Sequence, residues 1–525
     1  MTVSGVDDRQ ELLAERVHRR RWATLGVLVV SILVVTLDNT VLNVALPRIQ
    51  EQLGATQSQQ EWIIDAYTLA FAALLFPWGV LGDRSGRRRV LLLGLVIFGA
   101  GSAAAAYAGT PSVLIGLRTV MGLGAAAIFP ATLAIITNVF DDDERGRAIA
   151  IWAGFSGLAL AIGPLVGGAL LSAGFWWGSV FLINVPIVAA GIVGVWWLVP
   201  ESHDPSGQSL DARAVPVAVA GLVLVVYGLI RAGETSRWTS PVVVASLCVG
   251  VAVLALFAWL EARSRRPALD PGWFRHPAFS SGVAAMTLVS FSLFGIMLFG
   301  TYYLQFERGF SPLRAGALLL PLAVAIGVFA PLSDGLTGRF GRKAVCATGL
   351  GLVGVAMGWF GFITAGTSLL NLESLLFLLG VGMGLAMAPA TTAILQSLPP
   401  ARAGAGSAVN STVRQVGGAL GVAVLGSVLS TVYRSQISHA LAGLPAAARD
   451  AAGESIGATQ ILVDRYGALL PDHGAGLLRA ASSAFIHATH VTATVSAAAM
   501  GLAVVIVLAF MPNHPSRPPA DGTER

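Results

Sequence analysis

The sequence predicts an all-α membrane protein with fourteen transmembrane helices, arranged as six, two and six. Three observations predict it. Hydrophobic residues make up 55% of the 525 residues and charged residues only 12%, about half the usual globular share. Fourteen apolar runs each approach the roughly 20 residues that a spanning helix needs. An Arg- and Gly-rich segment of the first half also recurs in the second. With so little charge, the chain cannot cover the surfaces of soluble domains. A soluble enzyme, a disordered chain and a nucleic-acid binder are excluded, despite an isoelectric point near 9.6. The mean hydropathy of +0.73 agrees.

The runs fall in order at 22–46, 61–81, 90–109, 112–139, 147–171 and 177–199, then 213–230 and 241–260. A second six follow at 280–304, 315–336, 344–364, 372–397, 406–432 and 485–511. The first run is too long for a signal-peptide core and carries an Asp, so it reads as an uncleaved helix. The expected organisation is an N-terminal tail (1–21), a six-helix bundle (22–200) and two extra helices with linkers (201–279). A second bundle (280–511) and a C-terminal tail (512–525) complete it. Within the second bundle, 433–484 is expected as a long external loop. It is rich in Ala and Gly, with Leu and Ile spaced as short amphipathic helices that cap the outer face.

Basic residues set the orientation. With the N-terminus inside, 22 of the 33 Lys and Arg fall on the inner side and 9 on the outer. The positive-inside rule then puts both termini in the cytoplasm. Only one residue of the 33 is Lys, Lys343, and Ala344 follows it. The Gly-Lys-Ser/Thr end of a phosphate-binding loop is therefore absent. Transport by this chain alone is expected to be passive or ion-driven, not ATP-driven. The two cysteines, Cys248 and Cys346, lie in apolar runs, and no ligand cluster for a metal stands out. No cofactor and no catalytic residue is expected.

The repeat is Arg84-Ser-Gly86-Arg87-Arg88 against Arg339-Phe-Gly341-Arg342-Lys343, at an offset of 255. Parallel six-helix halves are a transporter pattern, with the substrate site between them near mid-membrane. In helix 1, Asp38 stands about 24 Å along from Trp22 at 1.5 Å per residue. An intramembrane carboxylate is costly and faces a wet cavity or a partner. It can bind and release a proton. Arg118 in helix 4 lies at a matching depth and needs an acidic partner. Asp65, near the outer end of helix 2, is a second proton-carrying candidate. As an acid in a first helical turn it also suits the helix dipole.

The loop after helix 2 reads Gly79, Gly82, Asp83, Arg84, Gly86, Arg87. The glycines allow a tight turn and close packing, and the charges suggest a gating network on the cytoplasmic face. The second copy differs. Gly338 stands where Asp83 does, and Asp334 lies four residues earlier. In helix 5, Gly154, Gly163, Gly167 and Gly168 let backbones approach, while Pro164 removes a helix hydrogen bond. In helix 13, Arg414 has no evident acidic counterpart, Glu307 and Glu373 being the candidates in its half.

Together these segments resemble the fourteen-helix drug:proton antiporter branch of the major facilitator superfamily, over residues 20–511. Asp38 to Pro47 looks like its helix 1 signature, Gly79 to Arg89 its cytoplasmic loop motif and Arg118 to Gly124 its helix 4 motif, with Met121 where a Gln is usual. Gly154 to Gly168 looks like its antiporter helix motif. Asn184-Val-Pro186, Tyr303-Leu-Gln305, Ser311-Pro312 and Arg414-Gln415 also fit. The resemblance implies the major facilitator fold and proton-coupled export of amphipathic organic compounds or drugs across the cytoplasmic membrane. It also implies coupling roles for Asp38 and Arg118. The expected partners are a small amphipathic substrate, protons and the lipid bilayer, and the chain is expected to work as a monomer. A dedicated exporter of one natural product or lipid, and a non-transporting receptor, are the rival readings.

Overall fold

The computed structural model describes residues 4–55, 57–203, 214–235, 237–263, 271–399, 403–453, 455–467 and 470–513. Among them there is no strand. The first half holds α1 (Ser4–Leu53), α2 (Gln57–Ser85), α3 (Arg87–Ala106), α4 (Pro111–Val139), α5 (Asp142–Ser172), α6 (Ser179–Leu182) and α7 (Asn184–Leu198). Next come α8 (Ala214–Thr235) and α9 (Pro241–Arg263). The second half holds α10 (Pro277–Tyr302), α11 (Pro312–Ala317), α12 (Leu320–Phe340), α13 (Arg342–Phe360) and α14 (Leu369–Gln396). It continues with α15 (Ala403–Leu441), α16 (Ala446–Ala452), α17 (Ile456–Tyr466) and α18 (Ala475–Phe510). Local chemistry sets several starts. Thr110, Ser311, Ser368 and Ser455 each accept a hydrogen bond from the backbone N–H three residues on, which satisfies a donor that the helix itself leaves free.

Twelve helical stretches of the described residues are long and apolar enough to cross a membrane. The apolar part of α8, Pro216–Ala232, is shorter, and α5 runs for 31 residues. With these two, the long helices match the fourteen runs of the sequence.

Buried apolar side chains form two large cores. One draws on Leu25 to Val199 and takes in Leu395 from across the seam. The other draws on Trp273 to Met511. The internal repeat is visible in how each core closes. A Cβ on Gly124 would stand 2.7 Å from the Gly94 carbonyl oxygen, and one on Gly382 would stand 2.7 Å from that of Gly349. Gly94 and Gly349 are separated by the same 255 residues as the loop motifs. Likewise Gly122 leaves no room for a side chain against Tyr67, nor does Gly380 against Leu322, and Tyr67 and Leu322 are again 255 residues apart.

The halves meet along two edges, α5 against α12 and α2 against α15, with α4 also touching α15. The α8–α9 pair covers the second edge. There Phe76, Ala218, Phe257 and Ala408, from four different helices, make a third small core. Trp62 stacks on Tyr227 at 6.4 Å, and Trp238 Nε1 donates to Ser427 Oγ at 2.9 Å. The outer side of α9 leaves Val242, Val249, Val251, Leu256 and Trp259 exposed, as a lipid-facing helix would.

Several helices run on past their apolar runs. The helix that contains α1 already begins at Ser4, inside the stretch expected as a tail. Within the stretch expected as the external loop, α15 continues to Leu441 and α18 starts at Ala475. Helices continue past their apolar stretch wherever polar side chains find partners. Here the Tyr433 hydroxyl meets Thr459 Oγ1 of α17 at 2.8 Å. The short helices α16 and α17 occupy what remains.

Candidate functional site

In the first half, α1 brings Asp38 against α4. Arg118 Nη1 donates to Asp38 Oδ2 at 2.5 Å, with Asp38 2% and Arg118 0% exposed. Asn184 Nδ2, at the start of α7, donates to Asp38 Oδ1 at 2.8 Å and to Ser102 Oγ at 3.0 Å. Ser102 in turn donates to the Phe181 carbonyl at 2.8 Å. Arg118 Nε donates to the Ile63 carbonyl at 3.1 Å. Its guanidinium carbon lies 4.2 Å from the Tyr67 ring centre, a cation–π contact. Both carboxylate oxygens are thus occupied, and the guanidinium has a charge partner and an aromatic face. A buried pair of this kind holds only while both charges persist, since removing one leaves the other uncompensated. Asp38 and Arg118 were legible in the sequence. Asn184, Ser102 and Tyr67 were not singled out as site residues, although an amide inside an apolar run was an available signal for Asn184.

The glycines of α5 serve this array. Gly163 leaves no room for a Cβ against Thr40 and Leu37, and a Cβ on Gly167 would stand 3.1 Å from Val41 Cγ1. Leu37, Thr40 and Val41 flank Asp38, so α5 packs directly on the segment that carries the acid. Gly168 is buried, and Pro164 falls within α5. Gly154 instead faces the other half, where its Cβ would stand 3.4 Å from the Gly327 Cα of α12.

At one end of the bundle, α2 and α3 are joined through Gly86, whose φ of 109° suits glycine. Asp83, 8% exposed, accepts from Arg87 Nε at 2.9 Å and from Arg87 Nη2 at 2.8 Å. Its other oxygen crosses to the second half and accepts from the Ala405 backbone N–H at 3.1 Å, in the first turn of α15. A carboxylate at a helix N-terminus is favoured by its free N–H groups and dipole. Gly79 and Gly82 are buried nearby, and Arg84 is exposed.

The second loop copies the backbone and not the acid. Gly341 has φ 83°. Arg342 N–H donates to Asn513 O at 3.3 Å, as Arg87 N–H donates to Ser202 O at 2.9 Å. The Arg342 side chain donates to Gln396 Oε1. Asp334 lies against Gly146 of α5, where no Cβ would fit, with the positive charge of Arg147 acting on it. Each half therefore presents one acid to the first turns of a helix in the other: Asp83 to α15, and Asp334 to α5.

Arg414 is not paired with Glu307 or Glu373 in any ion pair among the described residues. It reaches across the seam, its guanidinium 4.3 Å from the ring centre of Phe129 in α4. Phe129 also packs edge-on against Phe71 and Trp152. Asp65 is half-buried, two residues after Ile63, whose carbonyl takes the Arg118 bond. No group of three His, Cys, Asp or Glu among the described residues could hold a metal ion.

Comparison with known proteins agrees with this architecture. A chain similar over 498 residues, at 36% identity, is the multidrug efflux pump LfrA of Mycolicibacterium smegmatis, with 94% of this chain and 97% of the relative covered. The methyl viologen resistance protein SmvA of Salmonella typhimurium is 35% identical over 494 residues, covering 94% and 98%. The crystal structure of the human organic anion transporter MFSD10 shares the fold, with a TM-score of 0.59 at 16% identity, over 93% of this chain and 99% of that one. The sequence profile of the Major Facilitator Superfamily matches residues 28–422. With a family profile over most of its length, relatives matched nearly end to end and the shared fold, the chain belongs to the Major Facilitator Superfamily of membrane transporters.

Proposed function

We propose that the protein is a proton-coupled antiporter that exports amphipathic organic compounds, drugs among them, across the cytoplasmic membrane. The observation that carries this reading is the Asp38–Arg118–Asn184 array, a protonatable carboxylate buried mid-bundle and bonded across three helices. Protonation of Asp38 removes its charge and frees Arg118, and deprotonation restores the pair. That exchange is a two-state element on which a proton gradient can act. Full-length relatives named for multidrug efflux and methyl viologen resistance support the substrate class.

In this reading both termini, the Gly82–Arg87 loop and the Asp83–Ala405 bond lie at the cytoplasmic face, in keeping with the distribution of Arg. The α16–α17 face is then external. Asp83 and Asp334 act as latches that hold the cytoplasmic side shut while the site opens outward. Breaking them lets the halves rock. The driving force is sufficient. One proton crossing 100 mV gains about 2.3 kcal/mol, and one pH unit adds about 1.4 kcal/mol. Together these sustain a gradient of roughly several hundredfold for a neutral substrate.

The test is transport in proteoliposomes holding the purified chain. An imposed pH gradient is expected to drive accumulation of a fluorescent lipophilic cation, and a protonophore to collapse it. Equal accumulation with and without the gradient would refute proton coupling.

A further inference from the structure

The end of α10 does not stop as an ordinary helix. Tyr303–Glu307 forms a π turn, in which the Arg308 N–H reaches back five residues to the Tyr303 carbonyl at 3.0 Å. Such turns bulge one residue out of register and are frequent at functional sites. Here the turn places Phe306 and Glu307 at the wall of a cavity of about 510 Å³ that α17 and α18 complete. The cavity is lined wholly by second-half residues, on the face carrying α17.

Its walls are mostly apolar, from Phe306, Ile456, Leu478 and Ile486. The wall is braced. Gln460 Nε2 donates to the Phe306 carbonyl at 2.7 Å, and a Cβ on Gly457 would stand 2.9 Å from the Phe306 ring. The Glu307 carboxylate accepts from Ser482 Oγ at 2.5 Å and is in no ion pair among the described residues. Its neighbour Arg308 is committed elsewhere, donating to the Thr367 carbonyl at 2.5 Å and to the Tyr303 hydroxyl at 3.3 Å. The guanidinium of Arg479 lines the cavity but is exposed.

A half-buried carboxylate beside an aromatic ring, in a chamber lined by apolar walls and by Gln460, Ser482 and Ser483, fits an amphipathic cation. The charge attracts a cation, and the ring and aliphatic walls take its apolar body. We propose that this cavity is a second, peripheral binding site for lipophilic organic cations. Glu307 is its counter-charge, Phe306 its aromatic wall, and Arg479 a competing charge at its mouth. Binding here needs no proton coupling, so it stands or falls apart from the export reading.

The test uses the full chain in lipid nanodiscs, with Cys248→Ser to remove the exposed thiol and Ser483→Cys to place one at the cavity. Labelling by a charged maleimide is timed while tetraphenylphosphonium is titrated in. The cation is expected to slow labelling. The half-protecting concentration is expected to rise about tenfold or more in Glu307→Gln and to fall several-fold in Arg479→Gln. A folding defect would weaken both variants alike, so the opposite signs separate binding from damage. Absence of protection, or equal protection in Glu307→Gln, would each overturn the proposal.

Discussion

Asp83 of the first half and Ala405 of the second are joined by a hydrogen bond of 3.1 Å, although 322 residues separate them. The same carboxylate holds Arg87 within its own half. One side chain thus ties a loop to a helix end across the seam. Asp83→Asn keeps the shape and removes the charge. A hydrogen bond to a charged group is worth about 1.5–3 kcal/mol, so the state open at this face is expected to gain roughly ten- to a hundredfold in population. Spin labels at Ser85 and Arg339, both exposed at this face and on opposite halves, are expected to report a longer mean distance. An unchanged distance distribution would remove Asp83 as a latch.

The Asp38 pair predicts a split between stability and transport. Asp38→Asn leaves Arg118 buried without its counter-charge, at a cost of about 3–5 kcal/mol, read as a lower melting temperature in detergent. Adding Arg118→Gln is expected to recover much of that loss. Neither variant is expected to concentrate substrate against its gradient when a pH difference is imposed. If Asp38→Asn accumulates substrate like the parent protein, Asp65 becomes the next acid to examine.

Glycine spacing in α5 gives a steric prediction. Gly163→Ala drives a methyl into Thr40, whereas Gly335→Ala meets nothing within 4 Å. Overpacking costs about 1–3 kcal/mol, and the gain in helix propensity returns at most about 1 kcal/mol. Thermal unfolding is expected to show Gly163→Ala destabilised and Gly335→Ala neutral or slightly stabilised. Thr40→Ala in the first background should recover part of the loss.

Orientation can be read with reporter fusions. Fusions after residues 142, 270 and 402 are expected to report a cytoplasmic location, and one near residue 460 an external one. A cytoplasmic signal at 460 would overturn both the orientation and the fourteen-helix arrangement.

What the sequence revealed follows from what each contact is made of. Asp38 and Arg118 announce themselves because ionised groups are rare in apolar runs, and a fixed rise per residue puts them at matching depth. The repeat was legible because each loop needs a glycine at positive φ, Gly86 and Gly341, between its arginines. The Asp83–Ala405 bond had no such signature, since its donor is a backbone N–H that any residue would supply. Asp334 was visible as an acid displaced by four residues, about one helical turn. Its neighbour Gly146 was not visible, because the contact belongs to the other half. Arg414 kept its partner hidden for a different reason. The search for an acid missed it, while the group beneath it is the ring of Phe129. The π turn after α10 left no periodicity to detect, and the extension of α15 to Leu441 lay in polar sequence.

The α8–α9 pair makes the two edges of the seam unequal. At the α2–α15 edge, Trp62, Tyr227, Phe76 and Phe257 wall off the interior. At the other, α12 turns Leu320, Val324, Val328 and Leu332 outward along one stripe, with no further helix laid over them in the described residues. A greasy molecule dissolved in the surrounding lipid therefore meets a covering helix pair on one flank and the bare α12 stripe on the other. In the proposed export cycle, sideways entry from lipid is expected at the α5–α12 edge, where Gly154 now packs on Gly327, and a bulky graft on that flank is expected to slow export of hydrophobic cargo more than of cargo that arrives through water.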